Sequence, residues 1–283
     1  MKYYNRNTKE IMDIKDSKSL IFLYNTVPGR IILKAITKPV FSKPSEKLTN
    51  SKISKLYIKR FIKKNNIDMT QFKQTKYQSF NDFFTRKVNN SKPEKDINNK
   101  KLISPCTAKL TTYQIDKNLT IRVKNSKYSI ENLIKEKDET LNGGICLVFR
   151  LCVDDYHRYH AFDNQKIIKT KKINGLLHTV NPISYDKYQV FTENQREVSK
   201  IKTENFGTVY QIEVGALNVG KIHNTTKKKL QKYEEKGYFS FGGSTIILLF
   251  QKNKIKIDKD IIFASKQKME TKINYKDIIG KAC

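Results

Sequence analysis

Tryptophan is absent from this 283-residue chain, and proline (6), histidine (4) and cysteine (4) are sparse. Each scarcity excludes something. The four cysteines, Cys106, Cys146, Cys152 and Cys283, show no CxxC spacing and no secretory signal precedes them, so a reducing compartment is expected. No uninterrupted apolar run reaches the roughly 18 residues of a membrane-crossing helix, so membrane contact is expected to be peripheral. The 11 glycines form neither a Walker loop nor a dinucleotide-binding fingerprint, which leaves nucleotide cofactors without support. Acidic residues are outnumbered, 27 against 56 Lys and Arg, for a net charge of +29. That charge implies an anionic partner, nucleic acid or an acidic membrane surface. The lysines are spread along the whole chain and no nucleic-acid recognition motif accompanies them, so nucleic acid is not expected.

What is present is enough for a core. Hydrophobic residues make up 38% of the chain, with 15 each of Tyr and Phe, which argues against disorder. Residues 1–18 are polar and short of core formers. Two apolar patches, Leu20 to Tyr24 and Ile31 to Ile36, flank Pro28-Gly29, which breaks any single helix. With Arg30, Lys34 and Lys38 at their flanks, two short amphipathic helices either lie in a bilayer interface or pack as a hairpin on the protein's own core. Ser42 to Asn50 reads as a linker. Apolar residues recur at helical spacing from Ser51, and Tyr77 to Lys87 is an aromatic-dense helix in which only Arg86 suggests more than a core anchor.

From Leu102 the pattern changes to short runs separated by turns. Lys109–Ile115, Leu119–Val123, Ile145–Leu151, Lys166–Ile173, Tyr188–Phe191, Val209–Val214, Thr245–Phe250 and Ile261–Ala264 read as strands. The fold class is therefore α+β, with a helical N-terminal part before a β-rich, mostly antiparallel, sandwich- or barrel-like core.

Two stretches carry candidate chemistry. In Phe241-Gly242-Gly243-Ser244-Thr245, a Gly-Gly pair runs into an unbroken apolar, β-branched strand. From these residues alone the pattern reads first as a tight turn before a core strand; it also leaves the carbonyl before Ser244 without side-chain cover, a setting for attack by the protein's own hydroxyl for which the case has to come from elsewhere. In Asp154-Asp155-Tyr156-His157-Arg158-Tyr159-His160, two of the four histidines sit three apart after a buried strand. They read as a structural pair or as a general base with a general acid; metal binding lacks a local third ligand, and no metal is expected. Cys106 lacks any feature that would lower its pKa, and His178 and His223 stand singly.

Taken in order, Phe22-Leu23-Tyr24 with Gly29-Arg30, Ser79 to Arg86, Asp155 to His160, Val180-Asn181-Pro182, Asn194 with Arg196-Glu197, Phe206-Gly207, Glu213 to Ala216, Val219-Gly220 and Phe241 to Thr245 resemble the pyruvoyl-dependent phosphatidylserine decarboxylases, particularly the bacterial ones. The resemblance runs through almost the whole chain. It implies that Ser244 attacks the Gly243 carbonyl, splits the chain into residues 1–243 and 244–283, and becomes a pyruvoyl group. That ketone condenses with the amine of phosphatidylserine as a Schiff base, drives loss of CO2 and yields phosphatidylethanolamine. His160 is then the base for self-cleavage and His157 the proton-transfer residue of decarboxylation. The resemblance also implies residues 1–45 as a membrane-surface segment, 46–100 as a helical part packed on the core, and 101–283 as the catalytic core. The protein is then expected at the cytoplasmic side of the cell membrane, held peripherally on anionic lipid, with its two chains associated and a homodimer left open.

One position departs from the family pattern. Thr107 stands where the family carries an aspartate that completes a triad with His160 and Ser244. Losing such a carboxylate costs a serine protease about 10⁴ in rate. Self-cleavage happens once per molecule, so slowing need not abolish it, and Asp154, Asp155 and Asp116 are candidate replacements. The alternative expectation is an uncleaved, inactive homologue that binds anionic lipid surfaces.

Overall fold

The computed structural model describes residues 2–14, 17–73, 76–89, 100–217, 221–242 and 244–283. Gly243 and the Val219-Gly220 pair lie outside the described residues.

At the N-terminus the helices Lys18–Asn25 and Val27–Ile36 meet at a tight corner. Thr26 makes it: its Oγ1 accepts from the Gly29 amide at 3.1 Å and donates to the Phe22 carbonyl at 2.8 Å, while Pro28 occupies the first turn, where its missing N–H costs nothing. A Cβ on Gly29 would come within 2.1 Å of the Phe22 carbonyl oxygen, so only glycine lets the helices approach. The hairpin has two faces. Tyr24 and Leu33 are buried, with the Tyr24 hydroxyl accepting from the Thr179 amide at 2.8 Å, whereas Phe22, Val27, Ile31 and Ile32 are exposed. Core packing and an open apolar face thus coexist.

Ser42–Asn50, expected as a linker, is a helix. Pro44 sits in its first turn, where a helix tolerates proline because those amides have no intrahelical partner. The aromatic stretch forms the short helix Phe80–Phe84, capped by Ser79 Oγ accepting from the Asp82 amide.

The remainder is organised on a ten-stranded sheet. From one edge its strands run Lys229–Leu230, Gln165–Ile173, Arg196–Thr203, Thr208–Val214, Ser244–Phe250, Ile145–Leu151, Ala108–Gln114, Glu270–Ile273, Lys2–Asn5 and Glu10–Asp13. All pair antiparallel except Lys2–Asn5 with Glu270–Ile273. The α+β class and the mostly antiparallel core are borne out. Ser244–Phe250 is buried at every position because both sheet faces are covered. Ile246, Leu248 and Phe250 pack with residues of two three-stranded sheets; Ile247 and Leu249 pack on the other side with Tyr128, Leu133 and Phe191.

Two expected strands are helices. Tyr188–Phe191 gives way to the helix Val190–Glu193, and Ile261–Ala264 lies in the helix Lys259–Lys266, whose buried residues Ile261 and Ala264 are three apart. An unpatterned apolar run of four does not distinguish a buried strand from a buried helix. The polar N-terminus, expected to contribute little, adds two edge strands, since main-chain pairing needs no apolar side chains; Arg6 ties it down by ion pairs of 2.9 and 2.7 Å to Asp258 and Asp260.

Candidate active site

Ser244 opens the strand next to the middle of the sheet, paired with Leu151 at the end of the neighbouring strand. Two loops therefore converge on it, the one leading into Ser244 and the one leaving Leu151. The first is pinned by the aromatic helix: the Phe241 amide donates to Asn81 Oδ1 at 3.0 Å, and the Phe241 ring packs edge-on against Phe80 and Phe84 at 5.0 and 5.1 Å. Gly242 has φ +134°, a conformation open in practice only to glycine. Ser244 Oγ is buried and has no hydrogen-bond partner among the described residues. A hydroxyl kept dry and unbonded is not serving the fold, since an unmade buried hydrogen bond costs about 1–3 kcal/mol.

The second loop carries His157 and leads into the short strand that ends in His160. Asp155 closes its turn, with Oδ2 accepting from the Cys152 amide at 2.7 Å, and burial pushes its carboxyl up to about 6. The Asp155 carbonyl accepts from His157 Nδ1 at 2.9 Å. A carbonyl only accepts, so Nδ1 carries the proton and Nε2 the lone pair. His157 Nε2 is buried without a partner among the described residues; the Gly242 main chain lies close enough to favour a proton on the ring without making a well-formed bond to it. Burial against Phe84, 4.0 Å away between ring centroids, outweighs that and lowers the His157 pKa to about 3.

His160 ends the short strand that follows His157, Arg158–His160, opposite Glu235, and its side-chain contacts are with tyrosines. Its Nδ1 donates to the Tyr233 carbonyl at 3.0 Å, its Nε2 accepts from the Tyr156 hydroxyl at 3.2 Å, and its ring stacks on Tyr275 at 4.1 Å. Burial lowers its pKa to about 4. Thr107 Oγ1 accepts from the Tyr275 amide at 3.1 Å, so Thr107 and His160 flank one residue. The structure thus brings His157 to Gly242 and His160 to the neighbourhood of Thr107.

Of the three candidate replacement aspartates, Asp155 alone touches one of the two histidines, and it does so through its carbonyl. Asp116 is spent on an exposed turn, accepting from Asn118 and Thr120, and Asp154 offers its carbonyl to Arg86 at 3.2 Å. Arg86 is buried over the Phe72 and Phe83 rings at 4.4 and 4.8 Å, tying the aromatic helix to the histidine loop. Cys106 is buried and its thiol is pushed well up, as an inert core cysteine. His178 stacks on Tyr188 at 4.0 Å, and His223 Nε2 pairs with Ser240 Oγ at 2.9 Å. Sequence reasoning missed Asn81, Tyr156, Tyr233 and Tyr275; Asn81 and Tyr156 lie inside the quoted motifs, whereas nothing local marks Tyr233 or Tyr275.

The family model for phosphatidylserine decarboxylase matches residues 80–274. The chain is 47% identical over 283 residues to phosphatidylserine decarboxylase proenzyme 2 of Clostridium acetobutylicum, covering 98% of this chain and 97% of that protein. It is 43% identical over 291 residues to the phosphatidylserine decarboxylase proenzyme of Clostridium tetani, covering 99% and 98%. With that of Ruminiclostridium cellulolyticum the identity is 40% over 288 residues, covering 98% and 96%. Matches of this length take in the clamped turn, the histidine loop and the sheet together, and the chain belongs to the phosphatidylserine decarboxylase family.

Proposed function

We propose that this chain is a phosphatidylserine decarboxylase that cuts itself between Gly243 and Ser244 and converts Ser244 to a pyruvoyl group. The observation that carries the reading is the Ser244 hydroxyl, buried and without a hydrogen-bond partner among the described residues at the head of a rigid strand, two residues after Gly242, whose main chain the His157 ring approaches. A serine without structural duties fits one that is consumed. Oγ attacks the Gly243 carbonyl and the C–N bond breaks, leaving an ester and a free amine on Ser244. Loss of the Ser244 α-proton then breaks the Cβ–O bond, releases Gly243 as a carboxylate and leaves dehydroalanine, which takes up water and gives off ammonia. The resulting carbonyl supplies the electron sink that the twenty side chains lack.

The chain's residues hold and move the protons. His160 is the base for self-cleavage: the Tyr233 carbonyl fixes it as the Nδ1–H tautomer, the positional service that a triad carboxylate renders, and Tyr156 yields Nε2 to Ser244. Thr107 therefore removes charge stabilisation but not orientation. His157, held by the Asp155 carbonyl beside Gly242, moves the proton of the decarboxylation step. The aromatic clamp of Phe80, Phe84 and Phe241 keeps water from the turn. The exposed apolar face of the N-terminal hairpin, flanked by Arg30, Lys34 and Lys38, supports peripheral attachment to anionic lipid at the cytoplasmic side. The relatives are called proenzymes, which supports processing and lends nothing to the uncleaved alternative.

Intact-protein mass spectrometry of the purified chain, fresh and after incubation, tests the reading. Two masses that split at Gly243-Ser244, the smaller carrying a pyruvoyl terminus, are expected, together with a single mass for Ser244→Ala. One persistent uncleaved mass for the wild-type chain would overturn it.

A further inference from the structure

A cavity of about 450 Å³ borders Phe241 and Gly242 and reaches across the sheet to Lys109 and Arg150. Pairing sets these residues in one row: Lys109 lies opposite Arg150, and Arg150 opposite Thr245, the neighbour of Ser244. Like charges facing each other across two strands repel unless each is answered. Arg150 is answered by Glu270, with Nε to Oε1 at 2.7 Å and a second bond from Nη2, and its remaining Nη1 points to Cys152 Sγ at 3.2 Å. Lys109 has no direct carboxylate partner: the Asp155 carboxylate and Cys152 favour its charge without an ion pair, and its own bond goes to a thiol. Its Nζ donates to Cys152 Sγ at 2.9 Å and lies 4.8 Å from the Tyr3 ring, and among the described residues no carboxylate comes within ion-pair distance. A thiol is a weak acceptor, so the row presents to the cavity an ammonium kept charged by Asp155 yet without a strong direct acceptor. Asp13 and Asp154 also line the cavity without pairing with Lys109.

Resting on the decarboxylase reading above, we propose that Lys109, with Nη1 of Arg150, seats the phosphodiester of the lipid headgroup and is a specificity-determining residue. The span fits. Two strand spacings of about 4.8 Å separate the Lys109 and Ser244 backbones. Lys109, Arg150 and Thr245 share the sheet face opposite to Ser244 and Leu151, so a headgroup whose phosphorus is four bonds from its amine would pass round the strand end at Leu151 and Gly242, which the cavity borders. The phosphate, not the carboxylate, is the suitable occupant. A cation fixed on the carboxylate would stabilise the group that the reaction destroys, whereas a phosphate survives unchanged and its binding is equal in ground and transition states. Leu20 of the N-terminal hairpin lines the same cavity, so a lipid held by its phosphate there meets the apolar segment.

Calorimetric titration of the Ser244→Ala chain with glycerophosphoserine, free serine and inorganic phosphate tests the seat without requiring maturation. Glycerophosphoserine is expected to bind, inorganic phosphate to compete, and Lys109→Gln to weaken binding about 10- to 100-fold, the range of a charge-assisted hydrogen bond. Lys109→Arg should restore most of it, with circular dichroism confirming that each variant is folded. In the matured enzyme Lys109→Gln should raise KM for short-chain phosphatidylserine by a similar factor and leave kcat nearly unchanged. Undiminished glycerophosphoserine binding by folded Lys109→Gln would overturn the proposal, as would an equal loss for free serine, which would make the carboxylate the ligand. A wild-type chain that stays uncleaved would defeat the decarboxylase reading while the titration still judged the seat.

Discussion

His157 and His160 share a solution to one problem, which is how to hold a neutral imidazole in a chosen tautomer. Both donate Nδ1–H to a main-chain carbonyl, of Asp155 and Tyr233, and both are pushed down by burial, to about 3 and about 4. A carbonyl orients as a carboxylate does but does not stabilise the imidazolium that forms when the base takes a proton. Thr107→Asp should therefore speed self-cleavage by at least about 10-fold, part of the roughly 10⁴ that a triad carboxylate supplies in serine proteases. The pH profile gives the sign independently. With its pKa near 4, His160 is neutral down to about pH 5, so wild-type cleavage is flat from pH 5 to 8. A carboxylate at 107 favours the charged ring and raises its pKa, so the acid limb should move toward neutrality. Timed cleavage on gels across that range checks both, and an unchanged rate and profile would mean that position 107 does not act on the base. At this scale the sequence was partly legible. Ser244 shows through its Gly-Gly approach and the histidines through their scarcity. Lys109 does not, because an alternate-position lysine in a strand reads as a solvated face in a chain with 56 basic residues.

The strand Glu235–Phe239 delivers the chain to the turn before Ser244, and its anchor is a buried ion pair. Lys236 Nζ meets Glu213 Oε1 at 2.8 Å with both side chains fully buried, and Asn224 bridges the pair to Glu197. Lys236→Met strands the Glu213 charge and should cost about 3–5 kcal/mol, whereas Lys236→Met with Glu213→Gln should recover much of it. Urea unfolding measures both, and a double variant as unstable as the single one would refute the stranded-charge account. The anchor was invisible beforehand because Glu-Lys-Gly looks like a surface turn and its partner lies 23 residues away on another strand. Arg196–Thr203 is missing from the expected strands for a related reason: Arg196, Glu197, Lys200 and Lys202 make half of it charged, yet it is mostly buried, held by pairing on both edges. The long apolar strands were legible because their burial is written in their composition. The helices Val190–Glu193 and Lys259–Lys266 were not, since a short apolar run carries no period.

At the scale of the molecule the charge and the apolar N-terminal face belong to one argument. A net charge of +29 spread along the chain steers toward any polyanion but gives no orientation. In the attachment proposed above, orientation would come from the hairpin, whose inner side is fixed by Tyr24 to Thr179 and Lys187, while Val27 and Ile31 stand 63% and 64% exposed on the outer side. None of the described helices is long and apolar enough to cross a membrane; in the peripheral attachment proposed above, adhesion would rest on shallow burial added to headgroup attraction. Burying side chains of this size contributes about 1.5–3 kcal/mol each, and each basic residue at an anionic surface contributes about 1 kcal/mol. The two contributions separate experimentally. Val27→Asp with Ile31→Asp should weaken sedimentation with vesicles containing phosphatidylserine by at least about 100-fold, and raising salt should weaken the wild-type chain while leaving a salt-resistant remainder. Self-cleavage should proceed unchanged in the double variant, because neither side chain contacts the turn at Ser244. Vesicle binding that survives the double substitution yet vanishes with salt would assign the whole attachment to charge and leave the exposed face without a role.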